Sequence, residues 1–212
     1  MIFLIIISWI SEIFGTLFPN DSAGFIIAQA PTHPLLRLPD DVIVRKLREM
    51  SLTEILKFSL ISKRCKDLVK SIQIKATFFH VFIGNSINVF IKTNSKYLHL
   101  NFYVEPDMYW GTGAYGRKKK LTAPESVVAV EYNYTDPGKI EYKWEKNDLT
   151  MQYWFKHLQD IFNCHKIDVI RFSDNSSQFD IDDLKQVLGN TTKVNIENTG
   201  CYTFNQMILQ KF

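Results

Sequence analysis

Residues 35–71 read LLRLPDDVIVRKLREMSLTEILKFSLISKRCKDLVKS, and their pattern predicts three short helices. Leu38-Pro39-Asp40-Asp41 is typical of a helix start, because the first turn tolerates proline and acidic side chains favour the positive end of the helix dipole. Ser51-Leu52-Thr53-Glu54 has the spacing of a capping box and begins the second helix. Apolar residues recur at helical spacing in the first and third helices, at Ile43, Leu47 and Met50 and at Cys65, Leu68, Val69 and Ile72.

This helical segment is too short to fold alone, since it buries too little surface to offset the entropy lost on ordering. Its apolar stripes therefore continue into something else, either the following part of the chain or another protein. Periodicity by itself favours the first alternative, because amphipathic helices are more often core than docking surface.

The segment resembles an F-box through LRLPDDV, the spacing to EILKFSLISKR and the closing LVKS. The resemblance implies a helical surface that docks on a Skp-family adaptor and, through it, on the cullin scaffold of a ubiquitin ligase. By position, the family's contact residues fall on Leu36, Leu38, Pro39, Ile43, Leu56, Ser62, Lys63 and Arg64. Cys65 stands where many family members have tryptophan, which removes a large anchor and bears on the tightness of docking.

Composition is that of an ordinary globular protein of one or two domains, with 212 residues, 46% hydrophobic and 22% charged. A net charge of +3 is too small to indicate nucleic-acid binding, which needs clustered basic residues. The three cysteines are far apart and odd in number, so reduced thiols in the cytoplasm or nucleus are expected.

Residues 1–33 are interpreted as an apolar leader followed by a linker. The first 18 residues are almost entirely apolar, which predicts a membrane anchor or signal, although Glu12 is costly in a bilayer and no basic residue precedes the run. Sequons at Asn20, Asn133, Asn175 and Asn190 fit a secretory route. A membrane-tethered or secreted β-rich recognition protein is therefore the alternative function, and a leader that is not part of the working protein explains the run equally well.

Residues 75–150 predict an antiparallel β region, because β-branched and aromatic runs alternate with turn residues. The predicted strands are Thr77–Ile83, Ile87–Lys92, Tyr97–Val104, Val127–Tyr134 and Ile140–Trp144. The stretch 106–124 is interpreted as a loop, and its basic run Arg117–Lys120 as a solvated charge rather than a nuclear localisation signal.

Residues 151–212 predict a helix with a wide apolar stripe and then two strand–helix units. The period of 25 positions from Val169 to Val194 and 23 from Leu184 to Met207 is typical of leucine-rich-repeat-like units. Thr203–Gln206 has the spacing of a capping box for the last helix. This part resembles the F-box-associated region of large nematode F-box families. The resemblance implies that it is the substrate-binding half of the protein. Because a solenoid normally has more units, we expect the region to be truncated.

The sequence contains no recognisable catalytic, nucleotide-binding or metal-binding motif. We therefore expect a non-catalytic protein without a cofactor or metal. The spacing of His157, Cys164 and His165 is not that of a usual metal-ligand set. We predict that they are buried residues near a helix end. Asp180, Asp182 and Asp183 stand where a helix cap is expected. The sequence thus predicts an α+β protein with an F-box at 34–72, acting as the substrate-recognition adaptor of a Skp-cullin-F-box ubiquitin ligase.

Overall fold

The computed structural model describes residues 34–94, 96–104, 118, 121–133, 140–145, 148–189, 191–197 and 200–212. The chain separates into two compact units, residues 1–37 and Leu38–Phe212. The described part of the first unit is a 3-10 helix, Pro34–Arg37. The predicted leader, the turn at Thr135–Gly138 and most of the stretch 106–124 lie outside the described residues.

Three helices begin the second unit: α1 (Asp40–Leu47), α2 (Leu52–Ile61) and α3 (Lys63–Ser71). The predicted capping box of α2 is confirmed. The amide of Glu54 donates to Ser51 Oγ at 3.1 Å, and the amide of Ser51 donates to Glu54 Oε2 at 2.8 Å. Each helix starts close to the residue that its local sequence indicates, because caps satisfy backbone groups within one turn.

The three helices bury the predicted apolar stripes against one another and against the rest of the unit. Cys65 is completely buried, and burial raises the pKa of its thiol. The predicted place of Cys65 in the apolar stripe of α3 is therefore confirmed, and the residue packs as a small core side chain.

Seven strands follow in one sheet whose order is β5-β4-β3-β2-β1-β6-β7. Neighbours from β5 to β1 run antiparallel, and β1, β6 and β7 run parallel. The strands are β1 (Phe78–Ile83), β2 (Ile87–Lys92), β3 (Lys96–Tyr103), β4 (Ser126–Asn133), β5 (Ile140–Glu145), β6 (Ile167–Phe172) and β7 (Thr191–Ile196). The predicted strands are confirmed, and the two regions that the sequence separates at residue 150 share one sheet.

Among the described residues, three more α-helices follow: α4 (Met151–Ile161), α5 (Ile181–Leu188) and α6 (Tyr202–Lys211). Helix α5 ends at Gly189, whose φ of +68° is a conformation that glycine adopts without a steric penalty. The predicted capping box at Thr203–Gln206 is wrong. Helix α6 begins two residues earlier than that box requires, with Cys201 at the N-cap and no side-chain cap, so Thr203 already lies inside the helix.

The two faces of the sheet differ in what they contact. On the helix-covered face, Phe102 and Phe79 pack against Trp154 and Phe155 of α4, and Phe172 packs against Phe204 of α6. The opposite face, called the aromatic face below, carries half-buried rings from the three central strands: Phe78, His80, Phe82, Phe90, Tyr97 and His99. Strict alternation along each strand produces this division.

Helix α5 provides a first testable consequence, because its predicted cap is confirmed. Asp180 Oδ1 accepts hydrogen bonds from the amides of Asp182 at 2.9 Å and Asp183 at 3.2 Å. Asp180→Ala should therefore lower the free energy of unfolding by about 1 kcal/mol in chemical denaturation. Asp174→Ala, at an exposed turn residue, is the control and should stay close to the parent chain; equal stability of both variants would contradict the cap.

Candidate protein-docking site

The N-termini of α1 and α3 lie side by side. Leu38 and Pro39 immediately precede α1, while Lys63 and Arg64 open α3. An ion pair of 2.7 Å between Arg64 Nη2 and Asp40 Oδ1 joins the two helix starts. Both partners are more than half exposed, so the pair contributes little to stability, but it shows that the two helix starts are neighbours.

The predicted contact residues divide by exposure. Leu38, Pro39, Ser62, Lys63 and Arg64 are exposed. They form a surface patch in which an apolar corner adjoins two basic side chains. We call this the N-terminal patch.

The remaining predicted contact residues are less accessible. Leu36 is half-buried within the 3-10 helix, and Ile43 and Leu56 are buried, at 1% and 0% exposure. Ile43 and Leu56 belong to the apolar stripes that hold the helices together, which is the role that helical periodicity favours. Five of the predicted residues are thus exposed at the starts of α1 and α3, which the Arg64–Asp40 ion pair joins.

Ser62 has a structural task in addition to its exposure. Its Oγ accepts a hydrogen bond from the amide of Cys65 at 3.2 Å and so caps α3. The same hydroxyl lies 3.1 Å from Cys65 Sγ, to which it donates. Ser62 therefore sets the start of α3 and with it the position of Lys63 and Arg64.

A buried carboxylate attaches the helices to the sheet. Glu131 of β4 is 1% exposed, and its Oε2 accepts a hydrogen bond from the amide of Thr53 in the first turn of α2 at 3.0 Å. Lys96 lies with Nζ 3.6 Å from Glu131 Oε1 and donates to the carbonyl of Met50 at 3.1 Å. The negative charge therefore sits at the positive end of the α2 dipole, where it is favourable.

Glu131 was not predicted as a functional residue, although its place in the sequence carries a signal. Val127, Ala129 and Glu131 occupy alternate positions of β4, so the carboxylate falls on the same side as two apolar neighbours. An acid on the core side of a strand needs a partner, because a buried charge without one is costly. The partner itself comes from a residue 78 positions away.

A second buried contact joins α2 to α4. Ser59 Oγ donates to the carbonyl of Leu56 at 2.7 Å and lies 2.7 Å from His157 Nε2. Because the single hydroxyl proton is used on Leu56, the imidazole must donate through Nε2. Burial lowers the pKa of His157 to about 4, and the positive charge of Lys66 acts in the same direction. His157 is therefore a neutral part of the interface at pH 7.

Two basic side chains complete the attachment. Lys66 Nζ of α3 lies 2.8 Å from Asp160 Oδ2 of α4, and both are about one-fifth exposed. Lys57 Nζ of α2 lies 3.8 Å from the centroid of the Tyr142 ring. The pKa of Lys57 is lowered by burial, and the nearby Glu54 opposes that shift. The helical segment is thus joined to the sheet and α4 through Met50, Thr53, Lys57, Ser59 and Lys66.

The other residues singled out for chemistry lie apart from the N-terminal patch. Burial raises the pKa of the Cys164 thiol to about 12, and this residue is half-buried. The prediction of a buried residue is wrong for His165, which is exposed. Within the described ranges, no group of three or more His, Cys, Asp or Glu residues is arranged to hold a metal ion. Of the predicted basic run, Lys118 is described, and it donates to the carbonyl of Ser177.

Helices of the length and hydropathy needed to cross a bilayer are absent from the part of the chain that the structure describes. Residues 1–18, on which the membrane alternative rests, are outside that part.

Comparison with known proteins identifies the helical segment. A model of the F-box domain family matches residues 35–77, which covers α1, α2 and α3. No curated protein and no solved structure matched the chain. The chain therefore contains an F-box domain, and the match includes every residue of the N-terminal patch.

Proposed function

We propose that this F-box-containing chain is a substrate-recognition adaptor of a Skp-cullin-F-box ubiquitin ligase. F-box proteins are usually non-catalytic subunits of such ligases, in which the F-box binds a Skp-family adaptor that in turn reaches the cullin scaffold. The observation that carries the proposal is the exposed N-terminal patch within the matched domain. Its mixture of apolar and basic side chains is suited to a protein interface.

Leu38 and Pro39 are the apolar anchors in this proposal, and Ser62, Lys63 and Arg64 surround them. Ile43 and Leu56 are covered in the structure. We therefore propose that these two residues hold the helices that carry the patch. They would contact the adaptor only if its binding exposed them. Leu36 lies in the first unit, and we keep it as an adaptor contact because the F-box match includes it.

The attachment of the F-box to the sheet supports a placement mechanism. A ligase gains rate when a substrate lysine is held close to the activated ubiquitin, which requires two binding surfaces on one scaffold. Helices α2 and α3 are attached to the sheet and α4 through Glu131, His157 and Lys66. The distance and orientation between the two binding surfaces would therefore stay constant. Such an adaptor works where ubiquitin ligases act, in the cytoplasm or nucleus.

In this proposal, residues 75–212 form the region that recognises the substrate. The parallel units β6–α5 and β7–α6 support a likeness to leucine-rich-repeat-like units. We extend the proposal to membership of the nematode-type families, with this region as their F-box-associated half. The substrate is a protein that the region binds without chemical change.

The decisive test is binding of the full chain to a panel of Skp-family adaptors. The double variant Leu38→Ala/Pro39→Ala should weaken adaptor binding at least about tenfold in calorimetry or pull-down, because it removes the apolar corner of the patch. Both side chains are exposed, so the fold should be preserved, which circular dichroism can verify.

Leu209→Ala is the matched control, since it removes an apolar side chain that is 66% exposed on α6, far along the chain from the F-box. It should bind the adaptor as the parent chain does. Undiminished binding by the Leu38/Pro39 variant would contradict the proposed interface, and failure of the parent chain to bind any adaptor would contradict the proposed function.

A further inference from the structure

The aromatic face of the sheet has the composition of an interface rather than of a solvated surface. A sheet face that only meets water usually alternates polar side chains with the buried ones. Here the central strands instead place six half-buried rings together: Phe78, His80, Phe82, Phe90, Tyr97 and His99. Aromatic residues and arginine are enriched in protein interfaces, while aspartate and glutamate are depleted.

The rings pack mainly on one another. Phe90 and His99 are stacked with centroids 4.2 Å apart and planes 7° apart, and Phe78 and His80 are stacked at 4.4 Å. Phe82 meets Phe90 edge to plane at 5.0 Å. Ring planes within the cluster are thus taken up by neighbouring rings, which leaves ring edges for contacts with a partner. Ring edges carry partial positive charge and favour anionic groups.

The charged side chains around the rings are also suited to an anion. The guanidinium of Arg171 lies 4.8 Å from the centroid of Phe82, and the ammonium of Lys92 lies 5.1 Å from that of Tyr97. On the four strands β1, β2, β3 and β6, the described side chains that share this face include no carboxylate. Asp168 of β6 belongs to the opposite side by alternation, and its carboxylate accepts from the amide of Phe79 at 2.8 Å.

Arg171 retains donors for a partner. Its Nε lies 3.2 Å from Glu197 Oε1 just after β7, although the angle is not that of a hydrogen bond. Within the described residues, no acceptor is recorded for the terminal N–H groups of this guanidinium. The guanidinium shares its charge with Glu197, and its terminal N–H groups, for which the described residues provide no acceptor, match the two oxygens of a second carboxylate.

From these observations we infer that the aromatic face binds an extended acidic segment of the substrate protein, with Arg171 taking one of its carboxylates. The inference rests on the proposed recognition role of residues 75–212 and gives that role a surface and a ligand chemistry. A single-stranded nucleic acid would instead need free ring planes for base stacking, and here neighbouring rings and cations occupy them.

The test measures fluorescence anisotropy of a labelled short peptide that alternates glutamate and valine, titrated with the full chain at low salt. A peptide with lysine in place of each glutamate is the charge control. The acidic peptide should bind and the basic one should not. Arg171→Gln should weaken binding about tenfold. Arg171→Lys, which keeps the charge but loses the two-pronged geometry, should give a smaller loss.

Lys156→Gln removes one positive charge from α4, on the other side of the sheet, where the side chain is 72% exposed. This variant should bind the acidic peptide as the parent chain does. Equal affinity of the parent and Arg171→Gln for that peptide would overturn the inference, as would tighter binding of a labelled oligothymidine than of the peptide. Adaptor binding, measured on the same variants, should not change, so failure of the two proposals can be told apart.

Discussion

Glu131→Ala should lower the free energy of unfolding by about 3 kcal/mol, because it leaves the buried amide of Thr53 without an acceptor and Lys96 without its counter-charge. Glu131→Gln keeps an acceptor for Thr53 but loses the charge, so about half of that loss is expected. Urea unfolding of the full chain, followed by circular dichroism, measures both.

The control for this prediction is Glu145→Ala on the neighbouring strand β5. Glu145 pairs with Lys143 at 2.6 Å, but its side chain is 61% exposed, so its removal should change stability by less than about 0.5 kcal/mol. The prediction fails if Glu131→Ala is as stable as this control. Such a result would mean that the F-box helices are not held to the sheet by this carboxylate.

The second large effect is a loss of stability in acid that originates at His157. Its ordinary pKa of 6.5 is lowered to about 4 in the fold, first by burial and then by the charge of Lys66. Between these two values the unfolded chain binds a proton that the folded chain does not. The stabilisation is thus complete above about pH 6.5 and is lost as pH falls to about 4, by about 3 kcal/mol in total.

His157→Gln should remove most of this pH dependence, because the amide can donate to Ser59 but does not titrate. His80 and His99, whose pKa values are also lowered by burial, should leave a smaller slope in the variant. His165→Gln, at an exposed position, should keep the parent curve. Denaturation midpoints from pH 4 to pH 7 decide the matter, and an unchanged slope in His157→Gln would contradict it.

The Glu131–Thr53 and His157–Ser59 contacts could not be predicted from the sequence, whereas several local features could. The ends of α2 could be predicted because Ser51 and Glu54 satisfy each other's amides within one turn. The cap at Thr203 was wrong since the same residue spacing also occurs inside a helix, and only the backbone decides which residue comes first. Strand limits were predicted well, because alternation is a property of each strand alone.

The candidate site was predicted in part for a similar reason. Resemblance located Leu38, Pro39 and the Ser62–Arg64 segment, and each lies at a helix start that local sequence defines. The burial of Ile43 and Leu56 follows from which side of each helix meets its neighbours, and this depends on packing between helices. Arg171 was not singled out, as its place over Phe82 arises from the parallel pairing of β6 with β1.

The helices, the strands, the F-box segment and the α+β class could be predicted from the sequence, because these depend on periodicity and on caps within a few residues. The tertiary structure alone decided that β1 lies between β2 and β6, that Glu131 meets Thr53, and that His157 meets Ser59 across 98 positions of the chain. Such contacts depend on which distant surfaces fit together after the intervening chain closes on itself, and no local pattern encodes that choice.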